Sequence, residues 1–132
     1  MTELLRSPDI TISNETMAVL ERLAEGLEHR NPELAAQFFE ELARAKTVPA
    51  LDLPGNVITV GSHVRFRDDT TGIEQSITLD LPEQADISQG RVSVATPVGI
   101  ALIGLRCGAK FSWVGNDGER HRLMVLEVSA PS

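Results

Sequence analysis

The sequence has little of what many small domains use to bind ligands, to cross-link or to enter membranes. Cys107 is its single cysteine, so no internal disulfide can form, which fits a reducing compartment. Tyrosine is absent and aromatic residues make up 4% of the chain, so a pocket with aromatic walls would have few residues to draw on. No apolar run approaches the ~20 residues of a membrane span, and the start, MTELLRSPDI, has no apolar signal core. We therefore expect a soluble, cytoplasmic protein without a membrane partner.

Positive charge is also scarce. The chain has 12 Lys and Arg residues against 19 Asp and Glu residues, which gives a net charge of -7. This balance argues against direct binding to nucleic acid, whose phosphates attract basic surfaces. With 132 residues, the chain is long enough for one compact unit that buries roughly two thirds of its unfolded surface. We therefore expect a monomer that recognises a protein or a small ligand.

Two amphipathic helices are predicted in the first third of the chain. Apolar residues recur at helical spacing from Glu15 to Leu27, after a short DITIS strand in which Ser13 or the following Asn14 can cap the helix. A second stripe follows Asn31, a capping residue, and Pro32, which suits the first helical position. The polar turn between them predicts an antiparallel hairpin, a short coiled coil within residues 1–46.

A change of composition marks the second part of the chain. Residues 47–56, TVPALDLPGN, contain two prolines and a glycine and are interpreted as a linker. From residue 57 to residue 132, alternating β-branched and polar residues predict antiparallel strands in VITV, HVRFRD and EQSITLDL, then at 109–114 and 119–128. Gly115 to Gly118 has the composition of a hairpin turn. The predicted fold class is α+β, with a helical hairpin followed by an antiparallel sheet and one short helix.

The stretch RVSVATPVGIALIGLRCG, from Arg91 to Gly108, predicts a strand, a corner and a short helix. Thr96 precedes a proline, so its backbone is extended while its hydroxyl can cap the helix that starts at Pro97. Gly104 suits the left-handed residue that ends such a helix. Leu102, Ile103 and Leu105 are interpreted as core, whereas Val98 and Ile100 are interpreted as exposed apolar contacts. Capping alone explains Thr96 and Pro97, so the corner can be purely structural or can also bind a partner.

Nothing in the sequence has the pattern of a catalytic or metal site. His29, His63 and His121 fall in a turn and two separate strands without ligand spacing. Cys107 follows Arg106, which could lower the pKa of its thiol, but no histidine is near in sequence to complete a nucleophilic pair. The glycines of VGIALIG lack the Lys-Ser/Thr of a phosphate loop. We therefore expect no metal, no cofactor and no catalytic residue.

Four segments of the chain together resemble a known family. VITVGSHVRFRD, GIEQSITLDLPEQAD, RVSVATPVGIALIGLRCG and RLMVLEV are similar to the C-terminal domain of the bacterial transcript-cleavage factors GreA and GreB. Within that superfamily they resemble most the Rnk family, the regulators of nucleoside diphosphate kinase. The most specific part is a Ser/Thr-Pro-x-Gly-x-Ala-Leu-x-Gly pattern, filled here by Thr96, Pro97, Gly99, Ala101, Leu102 and Gly104.

The resemblance implies an FKBP-like sheet and a protein partner, RNA polymerase, bound near its secondary channel. In Gre factors the strand-to-helix corner docks on the polymerase, which places the contact here at Ala95, Thr96, Pro97 and Val98, with Ile100 beside them. Some family members have an acidic residue where this chain has Ala95. The resemblance therefore implies a docking site with one charged contact fewer.

Gre factors also use a long coiled coil whose acidic tip helps to hold a metal ion in the polymerase active site. Residues 15–27 form at most a stub of roughly 20 Å, and its tip combines Glu28 and Glu33 with His29 and Arg30. We therefore expect a polymerase-binding regulator that is not an enzyme and lacks cleavage activity. The alternative is an FKBP-like peptidyl-prolyl isomerase or chaperone, which would have to build its pocket from Phe66, Phe111 and Trp113.

Overall fold

The computed structural model describes residues 8–114 and 118–131 and has an α+β fold, as predicted. Its helices are α1 (Asn14–Leu27), α2 (Pro32–Ala43) and α3 (Pro97–Leu102). Its strands are β1 (Thr11–Ser13), β2 (Lys46–Val48), β3 (His63–Asp68), β4 (Glu74–Asp80), β5 (Arg91–Ser93), β6 (Lys110–Val114) and β7 (Arg120–Ser129). No helix within the described residues is long and apolar enough to cross a membrane.

Both helices of the hairpin begin where their capping residues predict. Ser13 is the cap of α1, since its hydroxyl accepts a hydrogen bond from the Thr16 amide at 3.1 Å. Asn31 caps α2 in the same way through the Leu34 amide at 3.2 Å, with Pro32 in the first turn. The two helices bury one face each against the other and against the domain, through Leu20, Ala24 and Leu27 of α1 and Ala35, Phe38 and Leu42 of α2.

A small parallel sheet of β1 and β2 closes the base of the hairpin. Thr11 to Ser13 pairs with Lys46 to Val48, so the chain enters α1 and leaves α2 side by side. The DITIS strand is therefore confirmed over Thr11–Ser13, while β2 lies partly within the stretch interpreted as a linker. The proline-rich composition of residues 47–56 gave no signal for β2, because its pairing partner lies more than thirty residues earlier.

The main sheet has five strands in the order β5-β4-β3-β7-β6. All neighbours are antiparallel, as predicted, except β4 and β5, which run parallel. The antiparallel pairing of β6 and β7 agrees with a hairpin between them, although Gly115 to Asp117 of the predicted turn lie outside the described residues. The parallel pair places the carboxyl ends of β4 and β5 at the same edge of the sheet.

The strand predicted at Val57 to Val60 is wrong. Val57 makes only an isolated bridge with Arg106, and the Ile58 amide donates to the Leu105 carbonyl at 2.8 Å. Val57 and Ile58 are consecutive and both buried, whereas a half-buried strand alternates buried and exposed positions. The segment lies instead against the exit of α3.

One hydrophobic core joins the hairpin to the sheet. It contains Leu20 and Phe38 from the hairpin, Val64 and Leu79 from the sheet, and Ile100 from α3. Leu102, Ile103 and Leu105 are also fully buried, which confirms their interpretation as core. Helix α3 therefore lies between the two parts of the molecule and contacts both α2 and β6.

Candidate functional site

The corner between β5 and α3 is held by its own short side chains. Thr96 has extended backbone angles, and its hydroxyl accepts from the Gly99 amide at 3.1 Å and donates to the Ser93 carbonyl at 2.7 Å. The Ser93 hydroxyl accepts from the Ala95 amide at 3.0 Å. Pro97 occupies the first turn of α3, so the predicted cap and helix start are both confirmed. Hydrogen bonds within this chain alone therefore fix the backbone of the corner.

The close packing of the corner depends on Gly99. A methyl group at this position would lie 2.7 Å from the Val94 Cα atom, closer than such contacts normally occur. Helix α3 can therefore lie directly against the end of β5 only because residue 99 has no side chain. The result is a rigid backbone corner with small side chains on its outer edge.

The predicted docking residues separate into two groups by burial. Ala95, Thr96, Pro97 and Val98 are partly exposed and lie together along the outer edge of the corner. The interpretation of Ile100 as an exposed contact is wrong, because its side chain is 0% exposed. Ile100 belongs to the hydrophobic core, where helix α3 packs against α2. The candidate surface is therefore Ala95 to Val98, and we call it the docking corner.

An acidic residue that the sequence reading passed over lies beside the docking corner. Asp80 ends β4 and pairs in register with Ser93 at the end of β5, and its carbonyl accepts from the Val94 amide at 2.8 Å. It is only 6% exposed. In the sequence, Asp80 looks like an ordinary polar position of an alternating strand. Only the parallel pairing of β4 with β5 brings it to the corner.

The hairpin tip lies at the turn between α1 and α2. Glu28, His29, Arg30 and Glu33 are all exposed there. The Arg30 and Asn31 amides both donate to the Leu27 carbonyl, which closes the turn. No group of three His, Cys, Asp or Glu residues that could hold a metal ion occurs among residues 8–114 and 118–131. The tip combines acidic and basic side chains on a helix of 14 residues, about 21 Å long.

The remaining histidines take part in pairs on the sheet. His63 Nδ1 lies 2.8 Å from Thr78 Oγ1, and His121 Nδ1 lies 3.3 Å from Asp68 Oδ2. Burial raises the pKa of Asp68, but hydrogen bonds from the Thr70 and Thr71 amides and from His121 outweigh it, so the pKa lies below its ordinary value. The two histidines lie on separate strands, β3 and β7, as the sequence predicts.

Cys107 is exposed and its thiol donates to the Leu126 carbonyl at 3.3 Å. The acceptor is a backbone carbonyl, which cannot take up the thiol proton as the base of a nucleophilic pair would. Nothing about Cys107 or its neighbours adds to the docking corner.

Phe66 and Phe111, two of the three aromatic residues that an isomerase pocket would use, do not line such a pocket in the described part of the chain. Phe66 and Phe111 are buried in the core, and the side chain of Trp113 lies outside the described residues. A groove of about 210 Å³ does occur on the outer face of the sheet, but its lining includes His63, Arg65 and Glu127 and no aromatic side chain other than that imidazole. The Arg65 guanidinium is held there by Glu74 and Glu127, whose hydrogen bonds raise its pKa.

Comparison with known proteins gives matches over both parts of the chain. The family described as "Transcription elongation factor, GreA/GreB, C-term" matches residues 53–130, and the family described as "Rnk N-terminus" matches residues 8–48. The Regulator of nucleoside diphosphate kinase of Escherichia coli K12 is 32% identical over 121 residues, which are 92% of this chain and 89% of that protein. The docking corner lies within the first of these two matched segments.

Two further proteins show how much of this chain is similar to known transcription elongation factors. Transcription elongation factor GreA of Thermodesulfovibrio yellowstonii is 37% identical over 82 residues, 62% of this chain and 49% of that protein. Among solved structures, a prokaryotic transcription elongation factor GreA/GreB from Nitrosomonas europaea has a TM-score of 0.73 at 36% identity, and the match covers 92% of this chain and 98% of that one. Similarity to the regulator and to this structure thus extends over hairpin and sheet together.

Proposed function

Because this chain belongs to the GreA/GreB C-terminal family and carries the Rnk N-terminal segment, we propose that it binds RNA polymerase near the secondary channel through its docking corner. The family assignment gives the chain a regulatory role of the transcription-factor type. The proposal has two further parts. The chain binds the polymerase without stimulating transcript cleavage, and it catalyses no reaction of its own.

The observation that carries the proposal is the construction of the corner. The residues of the Thr-Pro-x-Gly pattern serve to cap, start and pack α3, which leaves Ala95 to Val98 as a rigid outer edge. A preorganised edge of small side chains suits a protein partner, since little conformational entropy is lost when it binds. The partner that we propose, RNA polymerase, is the one that the resemblance to the Gre factors implies.

The hairpin supports a regulator without cleavage activity. At about 21 Å, α1 is a stub compared with a coiled coil that spans a channel, and its exposed tip carries Arg30 and His29 beside Glu28 and Glu33. Basic side chains beside the carboxylates oppose capture of a metal ion. We therefore expect the chain to occupy the polymerase without supplying acidic groups to its active site.

The isomerase or chaperone alternative has no support from the relatives named above, which are a regulator and elongation factors. The buried positions of Phe66 and Phe111 also remove two of the three aromatic side chains from which this alternative would build its pocket.

The test is binding of the purified chain to RNA polymerase core, with a fluorescent Gre factor as competitor and a transcript-cleavage assay in parallel. We expect displacement of the Gre factor and no stimulation of cleavage. Val98→Asp and Pro97→Ala should each weaken binding about tenfold or more, because they alter the centre of the docking corner. Alanine at both Glu28 and Glu33 is the control and should leave binding nearly unchanged.

Thermal denaturation of each variant separates lost contacts from lost folding. Val98 packs partly against the core, so the milder Pro97→Ala keeps the test informative if Val98→Asp unfolds. Unchanged binding by a folded Pro97→Ala chain would show that the corner is not the docking site. Loss of binding in the tip variant would show that the hairpin makes the essential contact.

A further inference from the structure

The carboxylate of Asp80 is buried beside the docking corner without a hydrogen-bond donor for one of its oxygens. Its Oδ2 atom has no hydrogen-bond partner within the part of the chain that the structure describes. A buried charged oxygen without a donor is costly, by more than a typical neutral hydrogen bond contributes. A buried polar atom without a partner in a folded protein requires an explanation. A role in binding would explain it, and the position of Asp80 beside the corner makes that role testable.

Two donors near Asp80 are engaged elsewhere or beyond hydrogen-bond distance. The Arg91 Nη1 atom is 4.0 Å from Asp80 Oδ2, beyond hydrogen-bond distance, and the Arg91 side chain is 49% exposed. The Thr96 hydroxyl donates to the Ser93 carbonyl at 2.7 Å. Arg91 is thus within ion-pair range of Asp80 without being hydrogen bonded to it, and its exposed side chain can move away.

The position of Asp80 connects it to the docking corner. Leu79 faces the core and is 0% exposed, so the alternation of the strand turns Asp80 to the opposite face. Ser93 shares that face, because the two residues pair in register across β4 and β5. Since both strands end at the same edge, Asp80 lies opposite Ser93, two residues before Ala95, where the outer edge of the corner begins.

We propose that Asp80 is the acidic contact of the docking corner and accepts a hydrogen bond from a basic side chain, arginine or lysine, of the protein docked there. This inference rests on the proposed polymerase binding and adds the chemistry of the partner surface. Arg91 is the internal competitor: when it swings outward, Oδ2 is uncovered for the partner's cation. The net charge of -7 favours approach of a basic surface, and a charge-assisted bond would satisfy the free oxygen.

The experiment measures polymerase-core binding by Asp80→Asn, with Glu83→Gln as the matched control. Asparagine keeps the shape of the side chain and removes its charge, so the fold should persist, as checked by thermal denaturation. We expect binding to weaken about tenfold or more, in the range of a hydrogen bond to a charged group. Glu83 is exposed in the loop that follows β4, and its variant should bind as the unaltered chain does.

Arg91→Met separates a contact with the partner from an internal role. If Asp80 receives the partner's cation, removing the competing guanidinium leaves binding unchanged or tightens it. If Asp80 merely positions Arg91, the two variants will weaken binding equally, the double variant will add nothing, and the proposal is overturned. Unchanged binding by Asp80→Asn while Pro97→Ala weakens it would overturn this inference alone. Failure of the unaltered chain to bind polymerase would overturn the proposed function on which the inference rests.

Discussion

At the scale of single residues, short polar side chains at chain reversals determine most of the local structure. Ser13, Asn31 and Thr96 each accept a hydrogen bond from an amide three residues later, and each begins a helix. This interaction is local in sequence, which is why all three helix starts can be predicted from the sequence alone. The burial of Ile100 cannot, because it depends on α2, which lies more than fifty residues earlier.

Asp68 provides a pH-dependent prediction at the same scale. Its pKa in the folded chain is lowered, so it stabilises the fold above its unfolded pKa of about 3.9, and this contribution is lost as the pH falls through the folded value. Asp68→Asn should therefore lower the free energy of unfolding at pH 7, with a difference that begins to shrink near pH 4 and disappears only below the lowered pKa of the folded chain. Urea denaturation at several pH values measures it. Asp52→Asn, at an exposed position, is the control.

A constant difference between the Asp68→Asn variant and the unaltered chain at all pH values would contradict this prediction. It would mean that the shape of the side chain, and not its charge, holds the turn that contains Thr70.

At the scale of elements, the sequence predicts those whose contacts are local and misses those whose contacts are distant. The helical hairpin and the strands β3, β4, β6 and β7 follow from periodicity. The parallel pairings β1 with β2 and β4 with β5 have no turn signal, because parallel neighbours need long connections. The second of these pairings brings Asp80 to the docking corner, so the sequence could predict Ala95 to Val98 of the candidate site but not Asp80.

The contact between α3 and β5 gives a prediction for two glycines in helices. Gly99→Ala should lower the free energy of unfolding by about 3 kcal/mol, since the added methyl group would lie against the Ser93 carbonyl and the Val94 backbone. Gly26→Ala is the matched control in α1, where nothing lies within 4 Å of the added atom. There we expect a gain of about 0.5–1 kcal/mol from helix propensity. Chemical denaturation of both variants measures whether each substitution lowers or raises the free energy of unfolding. An unchanged free energy of unfolding in Gly99→Ala would show that α3 can move away from β5.

At the scale of the whole molecule, the junction at Gly104 fixes the hairpin relative to the docking corner. The Thr11 amide donates to the Gly104 carbonyl at 3.0 Å, and the Gly104 amide donates to the Ile58 carbonyl at 2.9 Å. The Lys46 amide donates to the Ile10 carbonyl, so the end of the hairpin is bonded to its beginning, which in turn is bonded to Gly104 just after α3. A partner bound at the corner would therefore find the hairpin pointing in one direction, rather than on a flexible tether.

Gly104→Ala tests whether this junction holds the molecule together. Gly104 has φ = 84°, and an added Cβ atom would lie 2.8 Å from Ile10 Cβ and 3.2 Å from the Thr11 amide nitrogen. Gly108→Ala is the matched control, since its φ of 91° carries the same backbone strain while nothing lies within 4 Å of the added atom. Both variants should lose about 1 kcal/mol of unfolding free energy from backbone strain, and Gly104→Ala about 2 kcal/mol more from the clash.

Hydrogen exchange separates a local from a general effect of Gly104→Ala. Exchange should be faster at Thr11 and Lys46 in Gly104→Ala only, because the amides of these two residues close the base of the hairpin. Equal losses in the two variants, with exchange at the hairpin base unchanged, would mean that the hairpin is held by its core contacts through Leu20 and Phe38 and not by the junction at Gly104.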